Sequence, residues 1–531
     1  MSSAVIAEHA AEPVPAEPHL AEPYMARTLA VLGLSVEYVR AEGDTLYHRD
    51  EQGAERAVLD LVGAFGATIL GHNDPDVVAH AKAILDARLP VYAQFSLHPY
   101  ADTVARKLNG ILTRELGEAE PYFAVFANSG AEANEIALKH AELDRVTRLA
   151  ELCGALHENR ENARAALVEG TAVLADDAFA VLGVDVHDAD HLLKAAELAN
   201  AESLSAPPVL LALEGSFHGK LVGSVQLTHN PSFRLPFSSL AAQCRFVPAD
   251  RPEALARIVE GERRTVFDFT LDAGVVGVVE RDMPVFCAFV LEPIQGEAGI
   301  NVLTEETARH IQQVCAAVGC PIVIDEVQSG MGRSGSFFAS AGIGLRGDYY
   351  TLAKSLGGGV AKAAVTLVRA SCYRQDFDLI HSSTYAKDGF STRIAEKVID
   401  LLETDGGAAY RLATARGEAL MTELRAVQAE FPDVVKEVRG KGLMVGLEFH
   451  DQSVAAAPAL REKADMFGYF AAGYLMRAHA IRIFPTASAV HTLRFEPSVR
   501  LTDAAIARTG AALRDLCGVL RAQDAARLLG L

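Results

Sequence analysis

Two charged residues sit where a catalytic pair would be useful. Pro321-Ile322-Val323-Ile324-Asp325-Glu326 puts a carboxylate at the end of a short apolar run, and Lys354 follows Thr351-Leu352-Ala353, the end of another. Charges at the ends of buried strands need partners, and in α/β sheets the carboxyl ends of strands form ligand crevices. A lysine there can form an imine with a carbonyl compound. An aspartate there can keep a pyridinium nitrogen protonated, so that the ring accepts electrons. A structural ion pair between Asp325 and Lys354 is the plainer alternative. Three further segments favour the chemical reading. Asn128-Ser129-Gly130-Ala131-Glu132 opens a helix with small residues, which leaves backbone N–H groups at the positive end of its dipole for a phosphate, although an ordinary capped helix looks the same taken alone. Phe217-His218-Gly219 offers an aromatic platform at another strand end, and Gly357-Gly358-Gly359 follows Lys354 closely.

These residues need a frame of buried strands, and the sequence supplies one. Short continuous apolar runs at Phe123–Phe126, Val209–Leu213, Val285–Leu291, Ile322–Ile324 and Tyr349–Leu352 alternate with helical patterns such as Val77–Leu89 and Ala101–Leu116. That alternation marks parallel strands in an α/β sheet. Beyond about residue 391 the helices lengthen, and Leu443–Phe449 and Leu493–Phe495 read as strands of a second, α+β domain. The expected organisation is an arm over 1–35, a segment over 36–95 packing with the small domain, a large domain over 96–390, and the small domain over 391–531. The three Ala-Glu-Pro repeats at 11, 16 and 21 argue for an extended or flexible arm, because proline breaks regular helix. Residues 142–205 are rich in Ala, Leu and Glu, lack proline, and read as an inserted helical hairpin or small bundle.

Composition narrows the class. Half of the 531 residues are hydrophobic and 22% are charged, which suits a globular enzyme and neither a disordered nor a collagen-like chain. The formal charge of −20, with no Lys/Arg-rich run, disfavours a nucleic-acid partner. No stretch approaches the roughly eighteen apolar residues of a membrane span. Seven scattered cysteines without Cys-x-x-Cys spacing suggest a reducing, cytoplasmic setting, offer no metal site, and accompany an acidic N-terminus unlike a targeting signal.

From about residue 36 to 515, the 142–205 block apart, the chain resembles the class III aminotransferases, pyridoxal-phosphate enzymes of fold type I that include ornithine, acetylornithine and 4-aminobutyrate aminotransferases. The resemblance rests on an ordered series: Asn-Ser-Gly-Ala-Glu-Ala-Asn-Glu at 128–135, Ser-Phe-His-Gly at 216–219, Glu-Pro-Ile-Gln-Gly-Glu-Ala-Gly at 292–299, Asp-Glu-Val-Gln-Ser-Gly-Met-Gly-Arg at 325–333, the Lys354 segment, and Arg-Gly-Lys-Gly-Leu-Met-Val-Gly-Leu-Glu-Phe at 439–449.

By matching position, the resemblance implies a mostly parallel sheet with helices on both faces plus a smaller α+β domain. It implies pyridoxal 5′-phosphate as cofactor, with Lys354 as the Schiff-base residue and proton carrier. Ser129, Gly130 and Ala131 would hold the phosphate, Phe217 would stack on the ring beside His218, Asp325 would pair with the ring nitrogen, and Gln328 would bond the phenolic oxygen. Thr384 would reach the phosphate of the other subunit in a homodimer. Arg494 would bind a substrate α-carboxylate, such as that of glutamate or 2-oxoglutarate, with Glu297 as its alternative partner.

The chain also departs from the family pattern. Ala386-Lys387-Asp388-Gly389 replaces Gly-Gly-Asn-Pro after Thr384, Val360-Ala361 replaces Leu-Pro after the glycines, Lys220 replaces an arginine, and Phe65 stands about where ornithine-type members carry a substrate-binding tyrosine. The leading expectation is ping-pong transfer of an amino group from an amino acid or ω-amine to a keto acid or aldehyde. A mutase, racemase or decarboxylase shares the cofactor chemistry, and a catalytically silent assembly protein shares the scaffold. The intact Asp325 and Lys354 argue against the last.

Overall fold

The computed structural model describes residues 20–93, 96–185, 188–251 and 253–530. The Ala-Glu-Pro repeats at 11 and 16 lie outside the described residues. The third does not: Pro23 opens a helix, α1 (Pro23–Val31), which corrects the expectation of an arm without regular structure to residue 35. Proline at the first helical position removes only an N–H that has no partner there anyway.

The strands β1 (Tyr38–Glu42), β2 (Thr45–Arg49) and β3 (Glu55–Asp60) follow as an antiparallel meander. Helix α2 (Pro75–Asp86) is capped by Asp74, whose carboxylate accepts the N–H groups of Asp76 and Val77. Helix α3 (Pro99–Leu116) buries Val104, Leu108, Ile111 and Leu112, one face of an amphipathic helix. The strand β4 (Tyr122–Ala127) then delivers the long helix α4 (Gly130–Val168).

The central sheet has seven strands. Besides β4 it contains β6 (Val209–Leu213), β7 (Cys244–Val247), β10 (Phe286–Leu291), β11 (Ile322–Asp325), β12 (Tyr349–Leu352) and β13 (Ala364–Arg369), in the order β4-β13-β12-β11-β10-β6-β7. Only β13 runs against its neighbours. Every residue of β6, β10, β11 and β12 is buried, which is why these strands read as unbroken apolar runs. β7 and β13 were not expected from the sequence.

The block at 142–205 is mostly helical, but it does not form a helical hairpin or bundle by itself. Its first residues continue α4 and still pack on the main body, where Arg145 donates to Pro284 O at 3.2 Å. The remainder carries a short strand, β5 (Val173–Leu174), and a helix, α5 (Ala189–Leu204). Both join a hairpin much later in the chain, β8 (Thr265–Asp272) and β9 (Val275–Asp282), so that β5, β9 and β8 form a three-stranded sheet. Ala163, Ala166, Leu192, Ala196, Phe269, Val276 and Val278 fill a core of their own beneath it. The hairpin turns in two residues, Ala273 and Gly274, both at positive φ, the geometry that matches strand twist.

Toward the C-terminus, the helix α6 (Gly389–Glu430) is interrupted at Thr404–Gly407 and leads to a four-stranded antiparallel sheet. Its strands are β14 (Val435–Lys441), β15 (Met444–Phe449), β17 (Phe484–Pro485) and β18 (Thr492–Phe495), ordered β14-β15-β18-β17. The short β16 (Ile481–Arg482) instead pairs in parallel with β3, tying residues near 60 to this end of the chain. No helix of the described residues is long and apolar enough to cross a membrane.

Candidate active site

The carboxyl ends of five strands converge on one cavity of about 720 Å³. Ser129, Gly130, Ala131 and Asn134 come after β4, Phe217 and His218 after β6, Glu292 after β10, Asp325 and Gln328 from the end of β11, and Lys354 after β12. The topology therefore places together residues more than two hundred positions apart.

At the floor, Asp325 is buried but borders the cavity. Its Oδ2 accepts His218 Nδ1 at 2.8 Å and Asn134 Nδ2 at 2.7 Å, while Oδ1 accepts the Val327 N–H at 3.0 Å. Burial opposes the carboxylate charge, but the imidazole of His218 and the Asn134 amide outweigh it and hold Asp325 below the usual carboxylate range. Burial likewise opposes a charged His218, yet Asp325 raises it above the ordinary imidazole value. The two form an ion pair. Oδ1 accepts a single bond among the described residues, so a lone pair remains for a ring N–H in the cavity.

Asn134 also donates to His218 O at 2.9 Å and accepts the Thr351 hydroxyl at 2.9 Å, which joins α4, the aromatic loop and β12 in one network. Glu292 accepts the backbone N–H groups of Phe217 and Gly296 at 2.9 and 3.1 Å. Burial pushes its carboxyl up to about 7, against the pull of His218. Neither Asn134 nor Glu292 was singled out from the sequence. Asn134 stands one helical turn past Gly130, a spacing that puts both on one face of α4.

The turn expected to hold a phosphate has its donors already in place. Ser129 caps α4 by accepting the Glu132 N–H, Ala133 makes the first intrahelical bond to Ser129 O, and the N–H groups of Gly130 and Ala131 have no partner among the described residues. Gly219, at φ +117°, lies so close to Ala131 that a Cβ would collide with it, which is how the Phe217 loop reaches this turn. These donors, the lone pair on Asp325 and the lysine beside them fit a phosphorylated pyridine aldehyde.

Lys354 adopts φ +46°, a left-handed conformation that costs a non-glycine residue about 1–3 kcal/mol. It persists because its neighbours are fixed: the Ser355 hydroxyl donates to Gly66 O at 2.6 Å. The side chain is half-buried in the cavity wall and forms no ion pair with Asp325, so the plainer alternative does not hold among the described residues. Burial lowers its ammonium below the ordinary value, while Glu496 and Glu297 oppose that effect.

Glu297, Arg494 and Phe65 stand beside this cavity rather than in its lining. Arg494 is 2% exposed and grips Glu297 through two bonds of 2.6 and 2.5 Å, and Glu297 also accepts the Ala487 N–H at 2.7 Å. Phe65, at φ +57°, lies with its ring centroid 5.1 Å from the Arg494 guanidinium carbon and 6.0 Å from the Phe484 ring. Thr384 is exposed and does not line its own chain's cavity. Its neighbour Ser383 accepts from Asn128 Nδ2 at 3.1 Å, which anchors that segment next to the phosphate turn.

Comparison with known proteins agrees with this arrangement. Residues 28–509 match the family model for "Aminotransferase class-III". The putrescine aminotransferase of Pectobacterium atrosepticum is 27% identical over 456 residues, which is 85% of this chain and 78% of that protein. Among solved structures, the ornithine aminotransferase of Toxoplasma gondii superposes with a TM-score of 0.64 at 18% identity, over 92% of this chain and 91% of that one. An amine transaminase from an uncultivated Pseudomonas species gives 0.66 at 21% identity, over 91% and 94%. At such identities the likeness is one of fold, the fold type I arrangement of a mostly parallel sheet flanked by helices.

Proposed function

The chain belongs to the class III aminotransferases, enzymes that transfer amino groups with pyridoxal phosphate, and on that premise we propose that its donor is an ω-amine, such as a diamine or an ω-amino acid, and its acceptor a keto acid. The observation that carries this reading is the closed pair of Arg494 and Glu297 beside Lys354. A buried guanidinium without a carboxylate is costly, so each state of the site needs a partner for Arg494. When a donor lacks an α-carboxylate, Glu297 fills that role. When glutamate or 2-oxoglutarate enters, its α-carboxylate takes over the bidentate fork and Glu297 swings aside. Phe65, where ornithine-type relatives carry a tyrosine, covers Arg494 without offering a hydroxyl to the substrate.

Ser129, Gly130 and Ala131 would hold the cofactor phosphate, Phe217 would lie against the ring, Gln328 would bond its phenolic oxygen, and Asp325, backed by His218 and Asn134, would keep its nitrogen protonated. When bound, pyridoxal phosphate supplies the electron sink for bonds at the amine-bearing carbon. Lys354 Nζ removes the proton from that carbon, and burial keeps the neutral amine within reach. Because Thr384 is exposed and does not line its own chain's cavity, we assign it to the phosphate of a second copy, which makes the enzyme a homodimer with composite sites. Seven free cysteines suit a cytoplasmic location.

The test is a panel of amines added singly to the cofactor-loaded enzyme, followed by bleaching of its visible absorbance. Diamines and ω-amino acids should bleach it within one turnover, and 2-oxoglutarate should restore it. Bleaching by α-amino acids alone would overturn the ω-amine assignment, and no bleaching by any amine would overturn transamination by this site.

A further inference from the structure

Two residues beyond Arg494, just past the end of β18, stands a carboxylate that none of the roles above uses. Glu496 is fully buried. Its backbone is pinned by donation to Leu61 O at 2.7 Å, and the next carbonyl, Pro497 O, accepts Arg333 Nη1 at 2.9 Å. Its Oε1 accepts Gln328 Nε2 at 2.7 Å, and its Oε2 is buried without a hydrogen-bond partner. Gly66 lies against it, where a Cβ would come within 3.2 Å of Oε1.

A carboxylate only accepts hydrogen bonds, so the end of the Gln328 side chain that meets Glu496 must be its NH₂ group. That settles an orientation which the amide alone leaves open. The amide oxygen then faces Gly296, where a Cβ would run into it, and the second N–H of Nε2 is left for an acceptor in the cavity. We propose that Glu496 is a positioning residue: it locks the Gln328 amide with a donor toward the cofactor's phenolic oxygen, and it supplies the negative charge that balances Lys354. The second role rests on where the carboxylate stands: Ser355, the residue after Lys354, donates to Gly66 O at 2.6 Å, and a Cβ on Gly66 would meet both Glu496 Oε1 at 3.2 Å and Arg333 Nε at 3.4 Å, so the lysine segment, Arg333 and Glu496 share one small space. Glu297 and Asp325 also face Lys354, but Glu297 is occupied by Arg494 and Asp325 by His218. The inference depends on the Gln328 role proposed above.

Glu496→Gln keeps the volume and removes the charge, and Gln328→Ala removes the donor itself. The readouts are the dissociation constant of pyridoxal phosphate, the wavelength and pH midpoint of the visible absorbance, and the melting temperature of the cofactor-free protein. Glu496→Gln should loosen the cofactor by about tenfold, because an amide facing an amide is free to turn. It should also lower the pH midpoint by roughly one unit, since a cation that loses a neighbouring anion gives up its proton more easily. The cofactor-free protein should melt within a few degrees of the parent. An unchanged midpoint and dissociation constant, with only a lower melting temperature, would overturn the inference and leave Glu496 structural. A Gln328→Ala enzyme with the parent's spectrum would instead remove the reading beneath it, and the inference with it. If Glu496→Gln does not fold, Glu496→Asp decides: it keeps the charge, so it should hold the parent's midpoint while loosening the cofactor, and a shifted midpoint would count against the assignment.

Discussion

One helix serves two regions built on opposite principles. The first half of α4 lines the cavity and buries polar groups: Asn134 holds Asp325, and His140 bonds the Tyr349 hydroxyl at 2.9 Å. The second half carries the outlying lobe, whose core is small and apolar apart from Asp268, which is held by Asn159 at 3.1 Å and by Arg281 at 2.5 Å. In the cavity floor, stability is traded for charges held in place, each satisfied by a named partner. In the lobe, apolar packing dominates, and none of its described residues lines the cavity. The contrast teaches that burial of a polar group points to function more strongly where the group stands at or beside open space. Asp325 does so; Asp268 does not.

The contrast is broken most sharply at Lys354. Lys354→Ala should abolish turnover and the visible absorbance while the melting temperature moves by only a few degrees, because the lost side chain is half-buried at the cavity wall and alanine keeps the same left-handed backbone. Any multiple-turnover transamination by that variant would place the chemistry elsewhere. Next comes Asp325→Asn, which should retain the cofactor but slow proton removal on the order of a thousandfold, since an unprotonated ring is a poor electron sink. A loss below tenfold in a single-turnover assay would take Asp325 out of the mechanism.

The paired residues give a graded effect. Arg494→Ala should cut the glutamate half-reaction by about a hundredfold, whereas Glu297→Ala should weaken the ω-amine half and spare glutamate. Each change strands a buried charge, at a cost of about 3–5 kcal/mol, so the halves should be compared at temperatures well below melting. Equal losses in both halves would make the pair structural. In the lobe, Phe269→Ala should remove about 3–5 kcal/mol of local packing and open residues 150–205 to protease, with turnover kept within twofold. Loss of cofactor from that variant would join the two regions that the structure separates.

The smallest effect is a pH difference at Glu326, which belongs to the floor but not to the cavity lining. It accepts the Ser340 N–H at 2.8 Å and the Ser329 hydroxyl at 2.7 Å, and burial still pushes it from the ordinary 4.5 up to about 7. An acid raised in this way binds more protons folded than unfolded, so its ionisation costs stability as pH rises from about 4.5 to about 7. Glu326→Gln has no proton to lose and should gain on the parent across that window, by at most about 3 kcal/mol above pH 7. Melting curves at pH 5 and pH 8 that differ equally in both proteins would remove this account.

Much of the site was legible because its residues fall at strand ends. An unbroken apolar run followed by a charged or small residue reports a buried strand and its exit, and Asp325, Lys354, Gly130 and Phe217 all carry that signature. The lobe was misread for the opposite reason. Its sheet joins Val173–Leu174 to a hairpin a hundred residues later, and a two-residue strand leaves no periodicity to detect. Proline was misread at Pro23, where the first helical turn tolerates it.

Residue types and their local order were enough to point to the chemistry: a lysine able to form an imine, an aspartate able to hold a ring nitrogen, and unpaired N–H groups able to receive a phosphate. Those properties belong to single side chains or single turns. Which groups hold them in place was decided only by the tertiary structure. Asn134, Glu292 and Glu496 act through partners 191, 75 and 168 residues away in the chain. A hydrogen bond closed through space between strand ends leaves no trace in the spacing along the chain.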